Sequence, residues 1–204
     1  MTKFGIIERT KALLEEISPF DDGLQVLSAE VQPIQSYIER CIQPAVDYIL
    51  IFCPLHLTTA KALPTTAKTE KTDNGKKIGY IPFPTDFLRI HTIKMAGWER
   101  EVHYAISTES PIYAQQQNPY TRGGNSKPIV AKGEKLELYT YKADDTVEKA
   151  TYVARPDIEN MNGVNEKLFN PICYATAAEV LSIFGDKRSE YMQAKAQQLM
   201  QGEV

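Results

Sequence analysis

Cysteine is scarce in this chain. Cys41, Cys53 and Cys173 are the only three in 204 residues, and no CxxC pair occurs, which excludes a disulfide framework and the paired spacing of zinc or redox sites. They read as reduced core residues. Basic excess is missing too: 23 Lys and Arg against 26 Asp and Glu leave a net charge of -3. No general attraction to nucleic acid or anionic membrane follows, so any charged contact must be a local patch. Long apolar runs are absent, the densest being AVDYILIFC, too short to span a bilayer, and the opening MTKFGIIERTKALLEE has no apolar signal core. The chain is therefore expected to be made and kept in cytoplasm, with no membrane partner.

Recognisable chemistry is sparse as well. His56, His91 and His103 are the only histidines, and none stands three or four positions from a second metal ligand. His91 falls beside Arg89 on one strand face, a poor setting for a general base. No serine lies in a G-x-S-x-G elbow, and Gly123-Gly124 lacks the lysine and hydroxyl of a P-loop, which leaves a flexible loop tip. Cys173 sits in an apolar stretch that would raise its thiol pKa. Asp21-Asp22 and Asp144-Asp145 are adjacent pairs, suited to turns and not to an acid and base facing across a substrate. No catalytic residue, no metal and no cofactor is assigned, and the chain is not expected to be an enzyme.

What is present is 43% hydrophobic residues, sufficient for one packed core with a smaller lobe. Residues 4–17 carry Ile6, Ile7, Leu13, Leu14 and Ile17 on one helical face, stopped by Ser18-Pro19. Leu27, Val31, Ile34, Ile38, Cys41, Ala45, Tyr48 and Phe52 step by three or four through a second helix, with a start expected near Pro33 and a kink near Pro44. Residues 58–77 read as two polar arms around Asp73-Asn74-Gly75, a hairpin or loop. Alternation over 88–106, broken by Gly97, predicts two strands, and further strands are expected at 128–131, 135–141 and 148–154. The stretch YAQQQNPYTRGGNSKP lies in a segment, 107–127, without periodicity and reads as a long exposed loop. Asn170-Pro171 is read as an N-cap with proline at the first helical position, opening the apolar ICYATAAEVLSIF, with Gly185 as its stop and Asp186 as cap of a last helix.

An almost wholly apolar helix needs neighbours on every side, and neither chain end alone supplies them. The fold class is therefore α+β, a helical bundle built from both ends, 1–57 and 157–204, with an inserted antiparallel β lobe over 58–156. Within IPFPTDFLRI, Pro82 and Pro84 push Ile81 and Phe83 towards extended geometry, making a stiff entry to that lobe. Phe83, Phe87 and Leu88 are expected at its base, with Asp86 pairing locally with Arg89. The chemistry that stands out is tyrosine, eleven in all, a residue favoured at interfaces because its ring buries area while its hydroxyl keeps a polar partner. Tyr113, Tyr120 and Arg122, in the polar loop, are candidate interface residues. Lys76 and Lys77, in a basic edge with Lys68 and Lys71, are further candidates, although Glu70 and Asp73 interrupt that edge.

The element order, with IPFPTDFLRIHTIKMAGWEREV opening the β lobe and NPICYATAAEVLSIFGDKRSEYMQAKAQQLM closing the chain, resembles the head-to-tail connector proteins of short-tailed bacteriophages, most of all the ring proteins of crAss-like phages. The resemblance implies a virion protein, assembled in the host cytoplasm, that forms a homo-oligomeric ring, a dodecamer matched to the portal. Such a ring extends the DNA channel below the capsid and docks other ring or tail proteins. Genomic DNA would pass through without sequence-specific binding, in keeping with a surface that does not grip phosphates. The 58–77 and 107–127 segments are where neighbouring rings would be met. The alternative is a nucleic-acid-binding packaging accessory acting through the Lys68–Lys77 arm. A third reading, a hydrolase using His91 or His103 with Asp86, has no motif behind it.

Overall fold

In the computed structural model the described residues are 1–16, 34–63, 69–73, 76–118, 120–140 and 145–201. The readings made for Ile17, Ser18-Pro19, Asp21-Asp22, Leu27, Val31, Pro33, Lys68, Asn74-Gly75 and Asp144 lie outside them. The chain divides into two compact units, one of Met1–Thr59 with Arg155–Val204 and one of Ala60–Ala154.

The first unit is helical. Helix α1 spans Lys3–Glu16 and buries Ile6, Ile7, Leu13 and Leu14. Helix α2 spans Ile34–Phe52 around an internal Pro44 and buries Ile38, Cys41, Ile42, Ala45, Val46, Ile49 and Leu50, a stripe at helical spacing. Helix α4 spans Phe169–Ile183 and α5 spans Arg188–Gln201. Helix α4 is the hub, packed on α1, α2 and α5, so segments from opposite ends of the chain share one core. Its small buried residues, Cys173, Ala175, Thr176, Ala177 and Ala178, let neighbouring backbones approach. Burial pushes the Cys173 thiol up to about 12, which keeps it a protonated core residue.

The ends of α4 differ in how well the sequence announces them. At its C-terminus, Gly185 adopts φ +67, its N–H bonds to Ser182 O, and Asp186 N–H bonds to Leu181 O. This is a Schellman closure that only a residue without Cβ adopts freely. Asp186 then accepts the Arg188 backbone N–H at 2.9 Å and opens α5. At the N-terminus the expected Asn170 cap is wrong. Asn165 caps instead, its side chain accepting from Lys167 N–H at the head of a short 3-10 turn, Glu166–Leu168, that runs directly into α4. Asn170 lies inside the first turn.

The second unit holds two sheets. The smaller has the order β1-β8-β4, from Ala60–Ala62, Val147–Ala154 and Phe87–Met95. The larger runs β2-β3-β7-β6-β5, from Thr69–Asp73, Lys76–Ile81, Leu136–Leu138, Val130–Lys132 and Ile106–Ser107. All pairings are antiparallel except β5 with β6. The larger apolar cluster of the unit includes Ile81, Ile90, Ile93, Met95, Trp98, Leu136, Leu138 and Tyr152, and a smaller one joins Ile78, Ala131 and Tyr139. Thr69–Asp73 pairs with Lys76–Tyr80, so the first hairpin arm begins at Thr69; Ala60–Ala62 leaves that expected arm and pairs with β8.

The second strand expected within 88–106 is replaced by a turn. Trp98 tucks back, its indole N–H donating to Thr140 O, and Val102 meets β4 only in a single bridge to Ile93. Asp145 Oδ1 fixes that turn by accepting from Gly97 N–H at 2.9 Å. The long loop expected over 107–127 also needs correcting. It contains helix α3, Pro111–Gln117, opened by Ser110, whose hydroxyl accepts from Ile112 N–H with proline at the first position.

Candidate assembly surfaces

In IPFPTDFLRI, Phe87 N–H closes a turn onto Pro84 O before β4 begins. The partners the structure shows for Asp86 are distant in sequence. Asp86 accepts from Lys61 Nζ at 2.6 Å and from the Tyr152 hydroxyl at 2.7 Å. The hydrogen bond from Lys61, with that from Tyr152, holds the Asp86 carboxyl below its ordinary range against the opposing effect of burial. Tyr152 stacks on Phe87 at 5.7 Å, and Phe87 meets Phe83 at a tilt, 4.6 Å away. Sequence separation hid this cluster, because Lys61, Asp86 and Tyr152 come from β1, the turn before β4, and β8. It ties three strands together and is built as a brace.

His91 and His103 meet in a way their spacing did not announce. His103 Nδ1 lies 2.9 Å from the His91 carbonyl oxygen, which can only accept, so that nitrogen carries the proton. His91 Nδ1 lies 3.1 Å from Thr92 Oγ1 and 3.4 Å from Thr151 Oγ1. Burial, and then the nearby His103, Lys149 and Arg89, lower the His91 pKa and favour its neutral form. Asp86 has Lys61 and Tyr152 as its partners. Among the described residues no group of three or more His, Cys, Asp or Glu is placed to hold a metal ion.

The tyrosine-rich segment divides into inward and outward residues. Tyr113, on α3, donates its hydroxyl to Glu137 Oε2 at 3.1 Å and meets Tyr139 edge to face at 5.9 Å. Arg122 lies over the Tyr139 ring at 5.4 Å and donates from Nε to Gln116 O. Both make contacts within their own unit. Tyr120 is the opposite case, 95% exposed. Lys76 and Lys77 open β3, paired with Asp73 and Thr72 of β2.

The helical unit carries exposed apolar side chains at two ends. Tyr37 contacts Phe184, and Tyr48 accepts from Gln197. Those two contacts set α5 along α2 and α4 against it. Ile51 and Phe52, ending α2, therefore lie at one end, where Gly5 of α1 also sits against the Phe169 ring at the head of α4; Phe4 is 71% exposed there and Phe52 60%. Ile183, Phe184 and Tyr191, all exposed, lie at the other, around the α4–α5 turn. No family model and no curated protein matches the chain. No helix among the described residues is long and apolar enough to cross a membrane.

Proposed function

We propose that the chain is a virion structural protein that assembles into a ring in the head-to-tail connector of a short-tailed phage, below the portal, where it extends the DNA channel and docks tail components. The resemblance of the opening and closing segments to connector ring proteins supplies the context. One observation supports the assembly: the helical unit exposes large apolar groups at two opposite ends that differ in composition. A self-complementary dimer needs one patch matched to itself, whereas two unlike patches on opposite sides give head-to-tail contacts, which close into rings when the rotation allows. Exposed apolar side chains grouped at the ends of a unit are candidate contact surfaces. On this reading the polar clusters at Asp86 and His91 brace the β unit, and no catalytic step is assigned to them.

Electron micrographs of the purified chain, alone and mixed with portal rings, test the reading. Closed rings are expected in at least one of the two samples. Monomers only, in both, would overturn it.

A further inference from the structure

The turn that leads towards α4 contains an asparagine followed by glycine, Asn162-Gly163. Its surroundings are tied down: Asp157 O accepts from Met161 N–H at 2.8 Å, Asp157 Oδ2 from Asn160 Nδ2 at 2.7 Å, and Asn165 Oδ1 from Lys167 N–H at 3.0 Å. Asn162 and Gly163 themselves are exposed. Met161 at φ 47 and Gly163 at φ 81 both have left-handed backbone, which keeps this stretch out of any regular hydrogen-bond ladder. Among the described residues, neither the Asn162 side-chain amide nor the Gly163 N–H has a hydrogen-bond partner. The Gly163 carbonyl is held, accepting from Thr59 Oγ1 at 2.5 Å. The glycine is thus anchored while its nitrogen stays free to react.

An asparagine side chain ends one bond short of a five-membered ring with the next peptide nitrogen. Once hydroxide removes the Gly163 N–H proton, that nitrogen attacks Asn162 Cγ, the Cγ–Nδ2 bond breaks, and ammonia leaves. Water then opens the cyclic imide: cleavage at Cγ gives aspartate, and cleavage at the Asn162 main-chain carbonyl carbon gives isoaspartate, whose backbone runs through Cβ and Cγ. Glycine is the most permissive neighbour because it has no Cβ to shield the nitrogen, and asparagine is among the heat-labile residues. The other described asparagines each lack a condition. Asn118 and Asn170 precede proline, which has no N–H. Asn160 holds its amide on Asp157, and the N–H of the next residue, Met161, is engaged as well. Asn165 is occupied as a cap. Asn125 is followed by Ser126, which carries a Cβ.

We infer that Asn162-Gly163 is a site of spontaneous modification, where the folded chain converts to isoaspartate and the segment entering α4 loosens. Isoaspartate adds one atom to the backbone and a carboxylate, in a stretch that already carries Asp157, Glu159 and Glu166. The added length shifts Gly163 O relative to Thr59, whose hydrogen bond joins segments 104 residues apart. This chemistry is independent of ring assembly.

Incubation of the purified chain at mildly alkaline pH, followed by peptide mapping with fragmentation that separates isoaspartate from aspartate, tests it. Product should accumulate at residue 162 ahead of Asn118, Asn125, Asn160, Asn165 and Asn170, and faster as pH rises, because the attacking nitrogen must lose its proton. Asn162→Gln, which would need a six-membered ring, should lose the product at that position. The isoaspartyl fraction, isolated by ion exchange, should melt below both the native chain and Asn162→Asp, which keeps the normal backbone. An Asn162 that stays intact in the folded chain while the urea-unfolded chain converts would overturn the site, since the fold would then protect it. Faster conversion at Asn125 would do the same. An isoaspartyl fraction that melts with Asn162→Asp would overturn the loosening.

Discussion

Replacing Phe4 by Ala separates folding from assembly, and the structure sets how far apart the two effects should lie. Phe4 is 71% exposed. An aromatic side chain offers about 200 Å², so roughly 140 Å² stands in water and is available to a neighbour. At about 25 cal/mol per Å² that is at most roughly 3.5 kcal/mol per junction, or a weakening of up to about 300-fold. The remaining roughly 60 Å² contributes about 1.5 kcal/mol to folding, and the better helix propensity of Ala returns about 0.5 kcal/mol of it. The net folding loss is therefore about 1 kcal/mol, a few degrees in Tm for a unit of this size. Sedimentation over a concentration series reads the first quantity and thermal denaturation the second. Unchanged assembly, or assembly and folding falling by equal free energies, would refute the reasoning, because either result means that Phe4 is not a contact residue.

Two further outcomes follow from the geometry. Gly185→Ala should destabilise the helical unit by about 1–2 kcal/mol, from left-handed strain alone, because no atom lies within 4 Å of the new Cβ; calorimetry would show the loss, and an unchanged Tm would contradict the Schellman closure. His91, held neutral by burial and by His103, Lys149 and Arg89, binds its proton more readily in the unfolded chain, so stability should fall as pH drops below about 6.5. Asp86 and Asp186, whose carboxyls are depressed, lose their contribution only at lower pH, below the unfolded carboxylate range. His91→Gln should flatten the Tm profile between those windows, and an unaltered slope would remove His91 as its source.

Helices were legible where local periodicity and packing demanded the same residues. Ile6, Ile7, Leu13 and Leu14 form a face in sequence and in space, and ICYATAAEVLSIF needed surroundings on all sides, which α1, α2 and α5 supply. Gly185 was legible because left-handed backbone leaves few alternatives. The Asn170 cap was misread because Asn165 is an equally good acceptor, and only the 3-10 turn decides between them. Trp98 looked like a strand residue, yet its indole N–H reaches Thr140, a partner no local pattern reveals. The Lys61–Asp86–Tyr152 brace and the His91–His103 contact depend on strand order and were invisible for the same reason. Polar composition hid α3: Ser110, Gln116 and Thr121 each make a specific bond to the backbone there.

The most direct test of head-to-tail assembly blocks one end of the helical unit at a time. Phe4→Asp and Tyr191→Asp each place a charge on one exposed apolar end and should each abolish ring growth. Mixed in equal amounts, the two variants retain one intact pair of ends between them, so native mass measurement should show a heterodimer that adds no further copies. A mixture that stays monomeric, or a single variant that still builds native-sized assemblies, would contradict the account.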